Sequence, residues 1–216
     1  LSPPDDTKSR LLNAAGAVFA EKGFEAATVR EICQAAGANI AAVNYYFGDK
    51  ERLYIEAVRE AYCAREENAP MPLWTEGTPP ETKLHDFVAT FLRRLLAEGR
   101  PPWHLGLALR ELAHPTAACV EIVRDYIRPM AEILRAIVAE LAPADADSVD
   151  RHLLCFSIVG QCLFYHVHKA IIRELVGEEE FATYHVDLLA DHVTGFTLAA
   201  LGLGRAPSPE SSESRR

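Results

Sequence analysis

Thr28-Val-Arg-Glu-Ile-Cys-Gln-Ala-Ala-Gly-Ala-Asn-Ile-Ala-Ala-Val-Asn-Tyr-Tyr-Phe-Gly-Asp-Lys50 is the stretch whose reading decides the fold. Thr28 and Glu31 stand in the order of a capping box, in which the hydroxyl takes a backbone N–H and the carboxylate reaches back to the start of the helix. Val29, Ile32, Cys33 and Ala36 then share one face, which predicts a helix that Gly37 stops. After the break Ala36-Gly37-Ala38-Asn39, Asn39 is a good N-cap for a second, shorter helix reaching about Phe47, with Val43 and Phe47 turned inward. Gly48-Asp49 ends it and caps the next. Helix, tight turn and short helix form a helix-turn-helix, whose second helix must be short enough to lie in a DNA major groove.

Upstream, Leu11, Leu12, Ala15, Val18 and Phe19 make one apolar stripe on a helix from about Thr7 to Lys22. Gly23 suits the left-handed position beyond its end, and Phe24 folds back on the last turn. Downstream, a fourth helix is expected from Lys50 to about Glu67, then a Pro- and Gly-rich linker over 69–80. Further helices are expected over about 81–98, 103–113, 117–141, 146–176 and 179–202, with Pro129 kinking or splitting the third of these. Strand signals are nearly absent and no repeat is visible. The expected fold class is all-α. A three-helix DNA-binding domain spans 1–60, a helical ligand-binding and dimerisation domain spans 61–204, and the Pro-, Ser-, Glu- and Arg-containing tail 205–216 is expected to be disordered.

Composition sets the outer bounds. At 216 residues, with 49% hydrophobic and 25% charged residues, the chain has the make-up of a globular protein with a sizeable core. The most apolar run, Leu153 to Val167, is interrupted by Ser157, Gly160 and Gln161 and falls short of the ~20 residues a membrane span needs. No secretory signal pattern is found. Five cysteines without a CxxC pair fit reduced thiols rather than a disulfide scaffold. The expected location is cytoplasmic, with no membrane partner. The net charge of −9 runs against nucleic-acid binding. Residues 1–60 alone carry 7 Lys/Arg against 9 Asp/Glu, so any case for DNA rests on where individual donors sit.

Phe19-Ala-Glu-Lys-Gly-Phe24, Thr28-Val-Arg-Glu-Ile32, Ala35-Ala-Gly-Ala38, Val43-Asn-Tyr-Tyr-Phe47 and Asp49-Lys-Glu-Arg-Leu53 resemble, in order and spacing, the DNA-binding region of TetR-type regulators. The likeness covers about residues 7–58. It implies an N-terminal DNA-binding domain, an all-helical domain for dimerisation and ligand sensing, and repression relieved by a small molecule. Residues 38–47, Tyr126-Ile-Arg-Pro-Met130 and Ser157-Ile-Val-Gly-Gln-Cys-Leu-Phe-Tyr165 are similar to the CecR-like branch.

Spacing puts Ile40, Ala41, Asn44 and Tyr45 on the outer face of the short helix, as i,i+4 pairs. Small apolar side chains there can meet thymine methyls, Asn44 can pair with adenine or phosphate, and the phenols of Tyr45 and Tyr46 can donate to phosphate. Thr28 and Lys50 stand at helix N-termini, which attract phosphate. The resemblance implies phosphate contacts for Thr28, Tyr45 and Lys50 and base reading at 40 and 41. Asn44 departs from the family pattern, where many members carry Tyr. Other readings stay open: Asn39 as a cap only, Tyr46 as a core aromatic.

For the C-terminal half, the resemblance implies that the helices near 146–176 and 179–202 pair with those of a second copy, giving a two-fold homodimer on a palindromic, double-stranded DNA operator. Gly160 would permit close approach, and Leu188, Leu189, His192, Phe196, Ala199 and Ala200 form a stripe on the last helix. Family architecture together with polar groups in apolar helices nominates Trp103, His104, Arg110, Tyr126, Phe156, Gln161, Phe164, Tyr165 and His168 as contacts for a small-molecule effector. The alternative for each is ordinary core, with its polar groups satisfied locally. His166 and His168 point about 200° apart on a helix. Cys162 and His166 supply two ligands, too few for a closed zinc site, so neither metal nor cofactor is expected.

Two other classes compete. An enzyme is disfavoured because no GxGxxG, P-loop, nucleophile elbow or HExxH occurs, and Glu178-Glu-Glu180 reads as a helix-start charge run. A helical protein-interaction module is favoured by the acidic charge but leaves the outer face of residues 40–45 without a purpose.

Overall fold

The computed structural model describes residues 4–63, 69–97, 99–143 and 147–204, and all regular structure among them is helical. In chain order the helices are α1 (Pro4–Ala26), α2 (Val29–Ala36), α3 (Ile40–Phe47), α4 (Lys50–Cys63), α5 (Pro80–Leu96), α6 (Trp103–Ala113), α7 (Ala117–Ile122), α8 (Arg128–Leu141), α9 (Ser148–Val167), α10 (Lys169–Val176), α11 (Glu178–Phe181) and α12 (Val186–Ala200). No single helix among the described residues is long and apolar enough to cross a membrane. The tail 205–216 and the stretch 64–67 expected to extend the fourth helix lie outside the described residues.

Two compact units result, one from 1–65 with 98–129, the other from 66–97 with 130–216. The first therefore takes in more than the expected 1–60 domain. The reason is apolar: Trp103 and Leu107 of α6 and Ala118 and Ile122 of α7 are buried in the same core as Leu11, Ala15 and Phe19 of α1 and Leu53, Ala57 and Val58 of α4. Each large side chain fully buried there contributes about 1.5–3 kcal/mol. α1 is interrupted at Gly23, whose φ of 79° only glycine adopts cheaply. Phe24 then turns back onto Phe19 and Tyr54, with ring centroids 6.4 and 5.1 Å away. A second glycine works by size: a Cβ on Gly16 would overlap the Trp103 indole.

One polar joint sits in this core. Tyr54 Oη donates to Glu111 Oε2 at 2.6 Å, while the backbone N–H of Thr116 and its hydroxyl donate to Glu111 Oε1 at 2.7 and 3.0 Å. Glu111 is only 2% exposed, and these donors replace the water that its carboxylate has lost. Burial, with the Glu111 bond second, drives the Tyr54 phenol well above the usual tyrosine range. At the surface Arg52 and Arg59 of α4 reach Glu121 of α7 at 3.5 and 3.8 Å.

The second unit is organised around α5. Its residues Leu84, Phe87, Val88, Leu92 and Leu95 are buried against Leu134, Ile137 and Val138 of α8, Cys155, Ile158 and Cys162 of α9, and Leu189, Ala190 and Val193 of α12. Lys83–Glu140 (2.7 Å) and His85–Asp191 (3.1 Å) rim the packing. Such exposed pairs add little to stability.

Three expected helices differ in detail. The 117–141 segment does not bend at Pro129 itself but widens before it, over Val123–Ile127, where Arg128 N–H bonds Val123 five residues back. Pro129 has no N–H to give, and its ring would press on the carbonyl four residues earlier; the wider turn moves that carbonyl aside. The 146–176 segment breaks at His168 (φ −99°, ψ 18°), so that α10 leaves α9 at 73°. His168 Nδ1 lies 3.3 Å from the Phe164 carbonyl, giving the broken turn a side-chain partner. The 179–202 segment divides because His185 caps α12, its Nδ1 accepting the Leu188 N–H at 3.3 Å.

Two variants test this packing. Gly16→Ala must push the Trp103 ring out of place and should cost about 1–3 kcal/mol in urea unfolding. Tyr54→Phe leaves Glu111 short of one donor and should cost about 1–3 kcal/mol. Wild-type midpoints in either variant would show that the joint in question carries no stability.

Candidate nucleic-acid interface

The helix-turn-helix is fixed by local chemistry at each corner. Thr28 Oγ1 accepts from Glu31 N–H at 3.2 Å, and Glu31 Oε2 accepts from Thr28 N–H at 3.0 Å and from its hydroxyl at 2.9 Å. Lys22 Nζ stands 2.7 Å from the other Glu31 oxygen. The Lys22 bond first, then those of the Thr28 side chain and backbone, hold the Glu31 carboxyl down at about 2. The cap's share of stability is therefore present above the ordinary carboxylate range and is lost only as pH falls through about 2.

At the other end of α2, Gly37 takes a left-handed φ of 61°. Its N–H bonds Gln34 at 3.3 Å and that of Ala38 bonds Cys33 at 2.9 Å, a Schellman closure. Arg10 ties α1 to the turn through the Ala36 carbonyl at 3.0 Å. Asn39 Oδ1 then accepts the Ala42 N–H at 2.9 Å and starts α3. Gly48 closes α3 with bonds to Asn44 and Val43, and Asp49 Oδ1 caps α4 through the Arg52 N–H at 2.8 Å.

α3 is thus a rod of eight residues with two fully inward anchors, Val43 and Phe47. Its other side is open. Ile40 is 52% and Tyr45 82% exposed, with Ala41 and Asn44 exposed beside them. Two large hydrophobic residues held in water on a helix this short mark a surface that meets something. Tyr45 and Tyr46 lie edge to face at 4.9 Å, but Tyr46 is half-buried and packs on the core, so it belongs partly to the scaffold. Asn39 spends its oxygen on the cap, leaving its amide outward. The Thr28 hydroxyl is engaged at both lone pair and proton by Glu31, so a phosphate there would have to share it.

Lys50 is held in place: Nζ donates to the Glu25 carbonyl at 3.3 Å and lies 4.6 Å from the Phe24 ring centroid. A partly held ammonium at a helix start is better placed for an anion than a free one. The residue missed from sequence is Arg30, exposed in the first turn of α2 two residues beyond the cap. The signal was available, since the same helix start had been singled out through Thr28.

The nine nominated effector contacts are not brought together. Trp103, His104, Arg110 and Tyr126 belong to the first unit. There Trp103 lies on Gly16, His104 is buried with its ring 4.1 Å from the Trp103 ring, the Arg110 guanidinium covers Gly23, and Tyr126 packs on the core. Of the five in the second unit, Phe156 is 68% exposed on the surface. Gln161 Nε2 bonds back to the Ser157 carbonyl at 3.4 Å, and His168 stacks on Phe164 at 4.6 Å. Phe164 and Tyr165 line an open groove of ≈ 430 Å³ together with Leu175, Tyr184, Leu188 and His192. Cys162 is buried, its thiol pushed up to about 12 by burial, and stays protonated.

These two regions match known proteins separately. The family model for bacterial regulatory proteins of the tetR family matches residues 11–57. The model for the C-terminal domain of the HTH-type transcriptional dual regulator CecR matches residues 80–201. The chain is 28% identical over 200 residues to the HTH-type transcriptional dual regulator CecR of Shigella flexneri, covering 88% of this chain and 89% of that one. It is 33% identical over 180 residues to the HTH-type transcriptional repressor NicS of Pseudomonas putida, covering 76% and 78%. Its fold is that of AibR, solved in complex with isovaleryl coenzyme A and operator DNA, at a TM-score of 0.59 and 15% identity over 88% of this chain and 97% of that one. The capped, outward-facing rod and the helical region that follows it in sequence thus fall into two halves of one family, and the chain belongs to the tetR family of bacterial transcription regulators, in its CecR-like branch.

Proposed function

We propose that this regulator is a homodimeric repressor that sits on a palindromic operator and leaves it when a small molecule binds, acting in the cytoplasm where that DNA lies, with no catalytic activity of its own. The observation that carries the reading is the outer face of α3, with Ile40, Ala41, Asn44 and Tyr45 exposed between the starts of α2 and α4. In this reading Ile40 and Ala41 meet base edges and Asn44 reads a base or holds a phosphate. Tyr45, Thr28 and Lys50, with Arg30 added, hold the backbone. Tyr46 and Asn39 contribute through position and cap. The effector binds the C-terminal unit; AibR, which shares the fold, holds isovaleryl coenzyme A together with operator DNA. NicS is named a repressor, whereas CecR is named a dual regulator. The latter supports a second reading in which some promoters are activated.

The acidic chain makes the DNA test sharp. With a net −2 over residues 1–60, nonspecific attraction is weak and a few placed donors must carry binding. Tyr45→Ala and Lys50→Ala should each weaken operator binding about ten- to hundredfold while keeping the wild-type far-UV spectrum. In a salt titration Lys50→Ala should also reduce the slope of log K against log salt by about one. Wild-type affinity in both variants would refute this DNA face. Footprinting upstream of the protein's own gene should show a two-fold protected site, and a single unsymmetric footprint would remove the dimeric reading head.

A further inference from the structure

On α9, Val149, Leu153, Phe156 and Phe164 recur on one side with Gly160 between them, and all are exposed. On α12, Leu188, His192, Gly195 and Phe196 do the same. No atom lies within 4 Å of where a Cβ on Gly160 or Gly195 would stand, so both stripes are open to close approach. The opposite side of α9 is not apolar surface at all but core, through Cys155, Ile158 and Cys162. The two stripes meet at the ≈ 430 Å³ groove, because Phe164 of the first and Leu188 and His192 of the second line it.

α10 forms the remaining wall. It leaves α9 at 73° and is pinned by one buried residue, Ile172, while Ile171 (56% exposed) and Leu175 (77%) stand in water. Leu175 lines the groove. An Arg173–Glu178 pair at 3.0 Å, with the Arg173 guanidinium 4.8 Å from the Phe181 ring centroid, stiffens the turn beyond. Such an arm has little reason to hold two large aliphatic side chains outward unless another surface covers them.

We propose that the α10 arm and the groove are part of the homodimer interface, the groove being closed by apolar side chains of the second copy and the arm of each copy lying on its mate. The inference rests on the dimeric reading above and extends it beyond the α9 and α12 pairing. Area supports a second copy as occupant. The eight large apolar side chains of α9, α10 and α12 named here are between 42% and 77% exposed. At on the order of 100 Å² each they offer about 800 Å² per copy, what a stable specific interface takes from each partner and above the largest patch usual on a monomer. The shape supports it too. A two-fold interface must be complementary to itself, and this surface carries both a hollow and projecting rings, Phe156 and Phe196.

Sedimentation equilibrium of the full chain over a wide concentration range tests the proposal with two double variants, Ile171→Asp/Leu175→Asp on the arm and Phe156→Asp/Phe196→Asp on the stripes. The expected result is a dimer dissociation constant raised at least tenfold by the arm variant and a monomer for the stripe variant, each with the wild-type far-UV spectrum. A stripe variant that is monomeric beside an arm variant with the wild-type constant overturns the arm proposal and leaves the dimer standing. Unchanged mass in both overturns the dimeric reading itself. Leu175→Ala, at a 77% exposed position that folding does not depend on, should still weaken the dimer several-fold, and amide exchange over 169–176 should quicken on dilution to monomer. Exchange that ignores dilution overturns the proposal. So does a vesicle of phosphatidylethanolamine and phosphatidylglycerol that binds the wild type but not the arm variant while the dimer constant stays the same.

Discussion

Two inward anchors four residues apart, Val43 and Phe47, set everything that α3 can do. An eight-residue helix has little stability of its own, because nucleation is costly and few hydrogen bonds follow it. It exists here because both ends are capped and because those two side chains enter the core of α1, α2 and α4. Being held by so narrow a stripe, the rod must present its remaining circumference outward. The exposed face is therefore a consequence of scaffold packing, and readout at 40, 41, 44 and 45 can change without disturbing the fold that displays it.

The acidic balance of the molecule fits this design. A basic surface would bind any duplex; a chain of net −9 cannot rely on that. Its cations near α3 are largely committed: Lys22 to Glu31, Lys50 to the Phe24 ring and the Glu25 carbonyl, Arg52 to Glu121. Positive charge is thus placed at helix starts rather than spread, which favours a few oriented phosphate contacts over general attraction.

Much of the DNA-facing region was legible in the sequence because its signals are short-range. Thr28 to Glu31, Gly37, Asn39 and Gly48-Asp49 act within four residues of themselves, and each appears as the cap or closure its chemistry predicts. What was not legible depends on partners far along the chain. Trp103 and Arg110 read as effector contacts because nothing local reveals that Gly16 and Gly23 lie beneath them. The break at His168 carries no Gly or Pro, and the division before α12 turns on a histidine acting as N-cap, a weaker habit of that residue than of Ser or Asp. Phe156 looked like pocket lining because periodicity marks a residue as apolar without saying which apolar side faces the core.

The wide turn at Val123–Ile127 has a bearing on how this chain can vary. Such a turn holds one residue more than an α-helix would use for the same rise, so it behaves as an absorbed insertion. Removing a single residue there would restore ordinary winding and rotate all that follows by about 100°. Leu134, Ile137 and Val138 would swing off the core of the second unit together. The length of this segment is therefore locked in phase with α8, and point substitutions on its surface should be accepted far more readily than the loss of any one residue.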